Sequence, residues 1–267
     1  MIVIRACEGF AELEACVQLQ IETWGISPGE VVARKTFHLG QWIGGQVIGA
    51  FDTENSEQCG PESLVGFAFS MPGVKSYKGT LVPYLHSHML AVRTSYRNQG
   101  LGAKLKLEQR SEALKRGIRL MEWTFDPLEI KNAYLNICKL GAVARRYYVN
   151  FYGVSSSQLQ GGLPTDRLVA EWWLDSPRVE TIVEERSQLA LKIEKQILVP
   201  ASIYQWKATE AGRERAQAVQ LENRGAFQAA FSQGLAVVGF LRDAEGNGVF
   251  ELGNPAEPEL AAKNIRN

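Results

Sequence analysis

The sequence predicts an α/β protein with a mixed α+β sheet, and three observations carry that prediction. Short apolar runs alternate with longer amphipathic ones along most of the chain. One such run, His88-Met89-Leu90-Ala91-Val92, passes through a turn with two glycines into a stretch of strong helix formers, Lys104 to Arg116. Two further pairs of apolar runs are each joined by a polar loop, as in antiparallel hairpins.

Residues 2 to 5 read as a first strand. Phe10, Leu13, Val17 and Ile21 recur at helical spacing, so residues 10 to 24 form an amphipathic helix. Gly25 to Gly29 break it, and Pro28 is expected to open a second short helix reaching about Leu39. Residues 46 to 52 and 63 to 71 read as a hairpin. Residues 85 to 93 form the strand before the glycine turn, with Gly117 stopping the helix that follows. Another strand is expected over 120 to 124, a helix over 131 to 140, and a last strand at Glu171 to Leu174. Beyond Pro177, residues 189 to 198 read as a strand and 210 to 232 as a long helix. Residues 236 to 241 and 248 to 252 read as a second hairpin, and the polar tail from Asn254 as a frayed end.

Composition excludes several classes. A net charge of zero gives no basic footprint for nucleic acid. No apolar run reaches the roughly 18 residues of a membrane span. The apolar start is too short for a secretory signal, and Cys7, Cys16, Cys59 and Cys138 show no CxxC or zinc spacing. A cytoplasmic protein with reduced thiols is expected. Of the histidines His38, His86 and His88, the last two could share one face of a strand, but no third ligand is in view, so no metal is expected.

The stretch Val92-Arg93-Thr94-Ser95-Tyr96-Arg97-Asn98-Gln99-Gly100-Leu101-Gly102-Ala103 holds the chemistry. A strand that turns into a helix N-terminus presents unpaired N–H groups and the positive end of the helix dipole, which suits a phosphate. The absence of a Gly-Lys-Ser/Thr closure rules out a Walker loop. The absence of a third spaced glycine rules out the dinucleotide fingerprint. Arg97, Gly100 and Gly102 after the apolar Leu90-Ala91-Val92 resemble the acetyl-CoA loop of the GNAT acetyltransferase superfamily. Thr94 stands where that family often has Pro. The element order over residues 1 to 175 is similar to the GNAT core, which leaves 176 to 267 as a C-terminal α/β extension packed on it.

The resemblance implies acetyl-CoA as co-substrate and transfer of an acetyl group to an amine by direct attack on the thioester. It implies that N–H groups from Gln99 to Ala103, with Arg97 and Asn98 beside them, hold the pyrophosphate. It implies further that the main chain of Leu90, Ala91 and Val92 holds the pantetheine arm and polarises the thioester carbonyl, and that Asn132 faces the cofactor. His86, His88, Glu122 and Asp126 are candidate bases, the histidines having the intrinsic proton affinity for the task. The family's usual acid, a Tyr before Lys-Leu-Gly, is Ile137 here, leaving Tyr134, Tyr147 and Tyr148 as substitutes. Asp166 and Arg167 are either acceptor-recognition groups or a local ion pair in a turn. The acceptor is a small-molecule or protein amine, and the extension either covers its pocket or makes a homodimer contact. A non-catalytic acyl-CoA-binding protein on the same fold is the alternative.

Overall fold

The computed structural model describes residues 1–54, 60–153, 155–157, 160–185, 187 and 192–255. One ten-stranded sheet runs through all of it, in the order β1-β2-β3-β4-β5-β7-β6-β9-β10-β8. The first strands are β1 (Ile2–Ala6), β2 (Gln46–Asp52), β3 (Leu64–Tyr77) and β4 (Thr80–Val92), all antiparallel neighbours. Helices α1 (Gly9–Trp24) and α2 (Arg34–Trp42) cover one face of this half, here called the front. Their side chains, Phe37 of α2 among them, close on Phe67, Phe69, Met89 and Ala91 of the sheet. Helix α3 (Leu101–Lys115) covers the back, where Leu101 and Leu105 pack on Ile48, Ala50 and Ala68.

β5 (Leu120–Phe125) lies parallel to β4. Next to it come β7 (Arg167–Trp173) and β6 (Val143–Tyr148), antiparallel to each other. Between β5 and β6 the chain forms α4 (Ile130–Tyr134), which widens into a π turn over Leu135–Lys139 before Gly141. A short helix α5 (Pro177–Val183), capped by Ser176, follows β7. The C-terminal residues then continue the same sheet. β9 (Ala236–Arg242) joins β6 through Ala144 and Val237, and β10 (Gly248–Gly253) and β8 (Lys195–Val199) extend it. Helices α6 (Ile203–Lys207) and α7 (Glu210–Ser232) pack across this end, with Phe227 among Tyr147, Phe231 and Phe250.

Several expectations need correcting. Pro28 opens only a single 3-10 turn, Pro28–Glu30, and α2 starts later at Arg34. β3 and β4 reach well beyond the apolar runs, through a tight hairpin at Lys78 and Gly79, both with positive φ. Pro72, Gly73 and Pro83 inside those strands had masked the pairing in the sequence. Of the strand expected over 189 to 198, Lys195 onward is extended, while 189 to 191 lie outside the described residues, as does the tail beyond residue 255.

Candidate active site

Strands β4 and β5 meet at one point and then part. Their pairing is confined to Leu85 with Met121 and His86 with Glu122. Just beyond, the β3–β4 register shifts: Phe69 faces Met89 while Ser70 faces Ser87, so His88 is an extra residue bulging from β4. From there the two strands diverge around a cavity of about 1090 Å³.

The cavity wall on the β4 side follows from strand geometry. The Arg93 N–H bonds Val65 O at 2.8 Å, which puts Arg93 opposite Val65 in a hydrogen-bonded pair. Alternation then turns the main-chain groups of Ala91 toward β3, and those of Leu90 and Val92 toward the opening. Leu90 and Val92 line the cavity and Ala91 does not. Of the three residues expected to hold a pantetheine arm, Ala91 is thus set aside, its main chain being engaged with Phe67. The Val92 carbonyl accepts a hydrogen bond from Arg97 Nε at 3.0 Å, which fixes the turn on the strand.

At the mouth of the opening the chain makes two left-handed steps, Asn98 (φ 62°) and Gly100 (φ 76°). Glycine tolerates such a φ without strain, and asparagine better than most residues. Gly100 is the N-cap of α3. The first N–H returned into the helix is that of Lys104, to Gly100 O at 3.1 Å, so those of Leu101, Gly102 and Ala103 face the cavity they line. A Cβ at Gly102 would approach Leu90 Cδ2 at 3.6 Å, an ordinary contact, so the residue matters for what lies in front of it rather than for its own space. Arg97, Asn98 and Gly100 line the cavity. Gln99, whose side-chain amide donates to Ser95 O at 3.1 Å, is not part of that lining.

Asn132, Tyr134 and Leu135 form the opposite wall with Lys131 and Lys139. Ile137, at the position of the family tyrosine, is fully buried in the main core. Tyr134 stands about one turn earlier, partly exposed on the wall, with Lys139 Nζ 5.4 Å from its ring centre. The other two tyrosines are elsewhere. Tyr147 donates to Asp166 at 2.6 Å, and burial together with that carboxylate drives its proton affinity far up. Tyr148 lies against Phe151 on the surface, the two rings tilted.

The candidate bases separate in the same way. His88 lines the cavity, and burial holds its pKa below the usual imidazole value. His86 sits one step below, outside the cavity lining. Burial, then the neighbouring His88, lowers its pKa to about 4. Glu122 is engaged by Lys75 and by Arg146 (2.5 Å), and Arg146 also reaches Glu171 at 3.1 Å. Asp126 lines the cavity but accepts from Lys207 of α6 at 2.9 Å, which also binds Glu129 at 3.0 Å. Both carboxylates are thus committed to salt bridges. Asp166 and Arg167 part company: Asp166 is buried under Arg224 of α7, while Arg167 faces the cavity. Among the described residues no three His, Cys, Asp or Glu gather as a metal site, and no helix is long and apolar enough to cross a membrane.

The front of the cavity has a roof. Residues 155 to 157 reach across to the segment after α1: Ser27 N–H donates to Ser156 Oγ (2.9 Å), Ser156 N–H to Glu30 (2.8 Å), and Ser155 Oγ also to Glu30 (3.1 Å). Trp24 and Tyr152 enter the cavity here, and Tyr152 shares a 2.8 Å hydrogen bond with Thr124 of β5. Neither aromatic stands out in the sequence, because each belongs to a segment whose position depends on the other.

No protein-family model and no curated protein matches the chain. Solved structures do match it in shape. NAA60 from Arabidopsis thaliana, in complex with a bisubstrate analogue, aligns with a TM-score of 0.52 and 16% identity over 65% of this chain and 98% of its own. The same plant protein in complex with acetyl-CoA gives 0.51 and 16%, over 65% and 99%. A GNAT-family protein from Desulfovibrio desulfuricans gives 0.50 and 15%, over 65% and 99%. Over that 65% of its length, the chain has the GNAT acetyltransferase fold.

Proposed function

We infer that the protein is an acetyl-CoA-dependent N-acetyltransferase. The observation that carries this reading is the parting of β4 from β5 after His86 and Glu122, which leaves a cavity ending at the free N-terminus of α3. A thioester on a long arm fits such a cleft, with the pyrophosphate on the N–H groups of Leu101, Gly102 and Ala103. Arg97, Lys131 and Lys139 add positive charge around the same cavity. The outward main chain of Leu90 supplies a donor toward the arm, and a fixed N–H near the thioester oxygen stabilises charge developing there.

In the reaction the amine nitrogen attacks the thioester carbon, the C–S bond breaks, and the coenzyme leaves as a thiolate. His88, held neutral by its burial, takes the proton lost by the amine. Tyr134 supplies the proton to the sulfur. Much of the rate comes from holding the two substrates together. Calorimetric titration with acetyl-CoA, with ATP and NADH as controls, tests the cofactor assignment, and release of free thiol with an amine tests turnover. Binding of ATP but not acetyl-CoA would sink the reading.

A second reading rests on the buried Ile137. With no hydroxyl at the family position, the protein would bind acyl-CoA without transferring the acyl group. Acetyl-CoA binding with no thiol release from any amine favours it.

A further inference from the structure

We propose that the acceptor is a small amine bearing a carboxylate, an amino-acid-like molecule whose anionic group is bound by Arg167. This rests on the acetyltransferase reading and names the partner of the same cavity.

Arg167 is the first residue of β7 and pairs with Tyr148 of β6. The next residue, Leu168, faces the back core, so strand alternation sends the Arg167 side chain to the front. There it is fixed from two sides. Nη1 donates to Asp166 O at 2.8 Å and Nη2 to Gln160 Oε1 at 3.2 Å. The guanidinium carbon lies 5.4 Å from the Tyr152 ring centre. Two of five N–H donors are used in this way, which leaves three on a planar group already held in place. A carboxylate matches that geometry with paired hydrogen bonds, and a point-like partner does not.

The surrounding charges favour an anion here. The carboxylates lining the cavity, Asp126 and Glu129, are both bound to Lys207, Tyr152 stands beside Arg167, and the neutral Trp24, Thr124 and His88 line the same cavity. A polyamine would set cation against cation. The roof argues for size. With Ser155 and Ser156 tied to Ser27 and Glu30, a segment is held across the front of the cavity, which favours a small acceptor over an extended peptide. Trp24 and Tyr152 then offer aromatic walls to the rest of a small molecule.

The test uses the full chain with acetyl-CoA, following thiol release with L-phenylalanine, L-phenylalaninamide and spermidine. The carboxylate form is expected to show kcat/KM about 10- to 100-fold above the amide, with spermidine inert. Arg167→Gln should abolish that preference by raising KM for phenylalanine, while acetyl-CoA affinity measured by calorimetry stays unchanged. Arg167→Lys should restore part of it. Preference for the amide or for spermidine, or equal loss on all acceptors in Arg167→Gln, overturns the proposal. Acetyl-CoA binding without turnover of phenylalanine also overturns it, and leaves the cofactor assignment standing. Failure to bind acetyl-CoA removes both.

Discussion

Arg224 of α7 grips Asp166 through two hydrogen bonds, Nε to Oδ2 at 2.8 Å and Nη2 to Oδ1 at 3.1 Å. Asp166 is fully buried, and its remaining capacity is taken by Tyr147 Oη (2.6 Å) and the Asn150 N–H (3.0 Å). This one carboxylate therefore ties the C-terminal helix to the loop that leads into the roof of the cavity. Removing the cation leaves a buried charge with neutral partners only, which is costly. Arg224→Ala is expected to lower stability by about 3 kcal/mol, read by urea unfolding. It should also loosen residues 150 to 157, read as faster amide exchange there. Unchanged exchange in that segment would show that the grip is local.

The turn that leads into α3 makes a sharper prediction. Gly102→Ala should fold and bind acetyl-CoA, since the added carbon meets Leu90 and Leu135 at ordinary distances. Gly102→Glu should fold and lose binding, because a carboxylate would occupy and repel the anion at the N-terminus of α3. Gly100→Ala acts through the backbone, where φ is 76°, and should lose about 1 kcal/mol of stability. Calorimetry and thermal unfolding on the three variants separate these effects, and parent-like binding by Gly102→Glu would place the coenzyme elsewhere.

The two histidines should differ in kinetics. His88→Ala is expected to lower kcat about 100-fold with acetyl-CoA affinity intact, whereas His86→Gln should leave kcat within a few-fold. Tyr134→Phe should reduce kcat without raising KM for acetyl-CoA. Equal losses at His86 and His88 would mean that neither is the base.

Acid stability gives an independent check on His86. Its pKa falls from 6.5 to about 4 on folding, so the unfolded chain binds more protons between those values. The neutral ring's contribution is whole above pH 6.5 and declines as pH falls toward 4. His86→Gln should flatten the stability curve in that window. An unaltered slope would mean that His86 is more hydrated than its position indicates.

Lys106 follows the same logic at the other end of the scale. It is buried behind β4, with Nζ 2.7 Å from Ser87 Oγ and 3.6 Å from the Trp123 ring centre, and burial pushes its pKa well down. The folded chain thus binds fewer protons than the unfolded one below pH 10.5, and the parent gains stability as pH rises toward that value. Lys106→Met should be at least as stable as the parent at pH 7 and should lose this dependence. Marked destabilisation at pH 7 would overturn the assignment.

What the sequence revealed and what it concealed have separate physical causes. The turn from Val92 to Ala103 was legible because strand, glycines and helix formers adjoin along the chain. Helix α7 and the β9–β10 hairpin were legible for similar local reasons. The π turn after Tyr134, the bulge at His88 and the inward face of Lys106 were not, since each depends on strands paired from distant segments. Lys106 reads as one more solvated lysine in a helical run, and only its place over Trp123 shows otherwise. Sequence proximity suggested Asp166 and Arg167 together, yet Asp166 precedes β7 and is buried against Arg224, while Arg167 opens the strand and faces the cavity.

The seam between β6 and β9 has a consequence for how the molecule stands alone. If the chain stopped after β7, β6 would be an open sheet edge, a template for any passing strand. The extension fills that edge from within the same polypeptide. The neighbour's supply is fixed by the length of the connecting chain and not by how much protein is present. The core is thereby chaperoned by its own tail, and dilution leaves the seam closed.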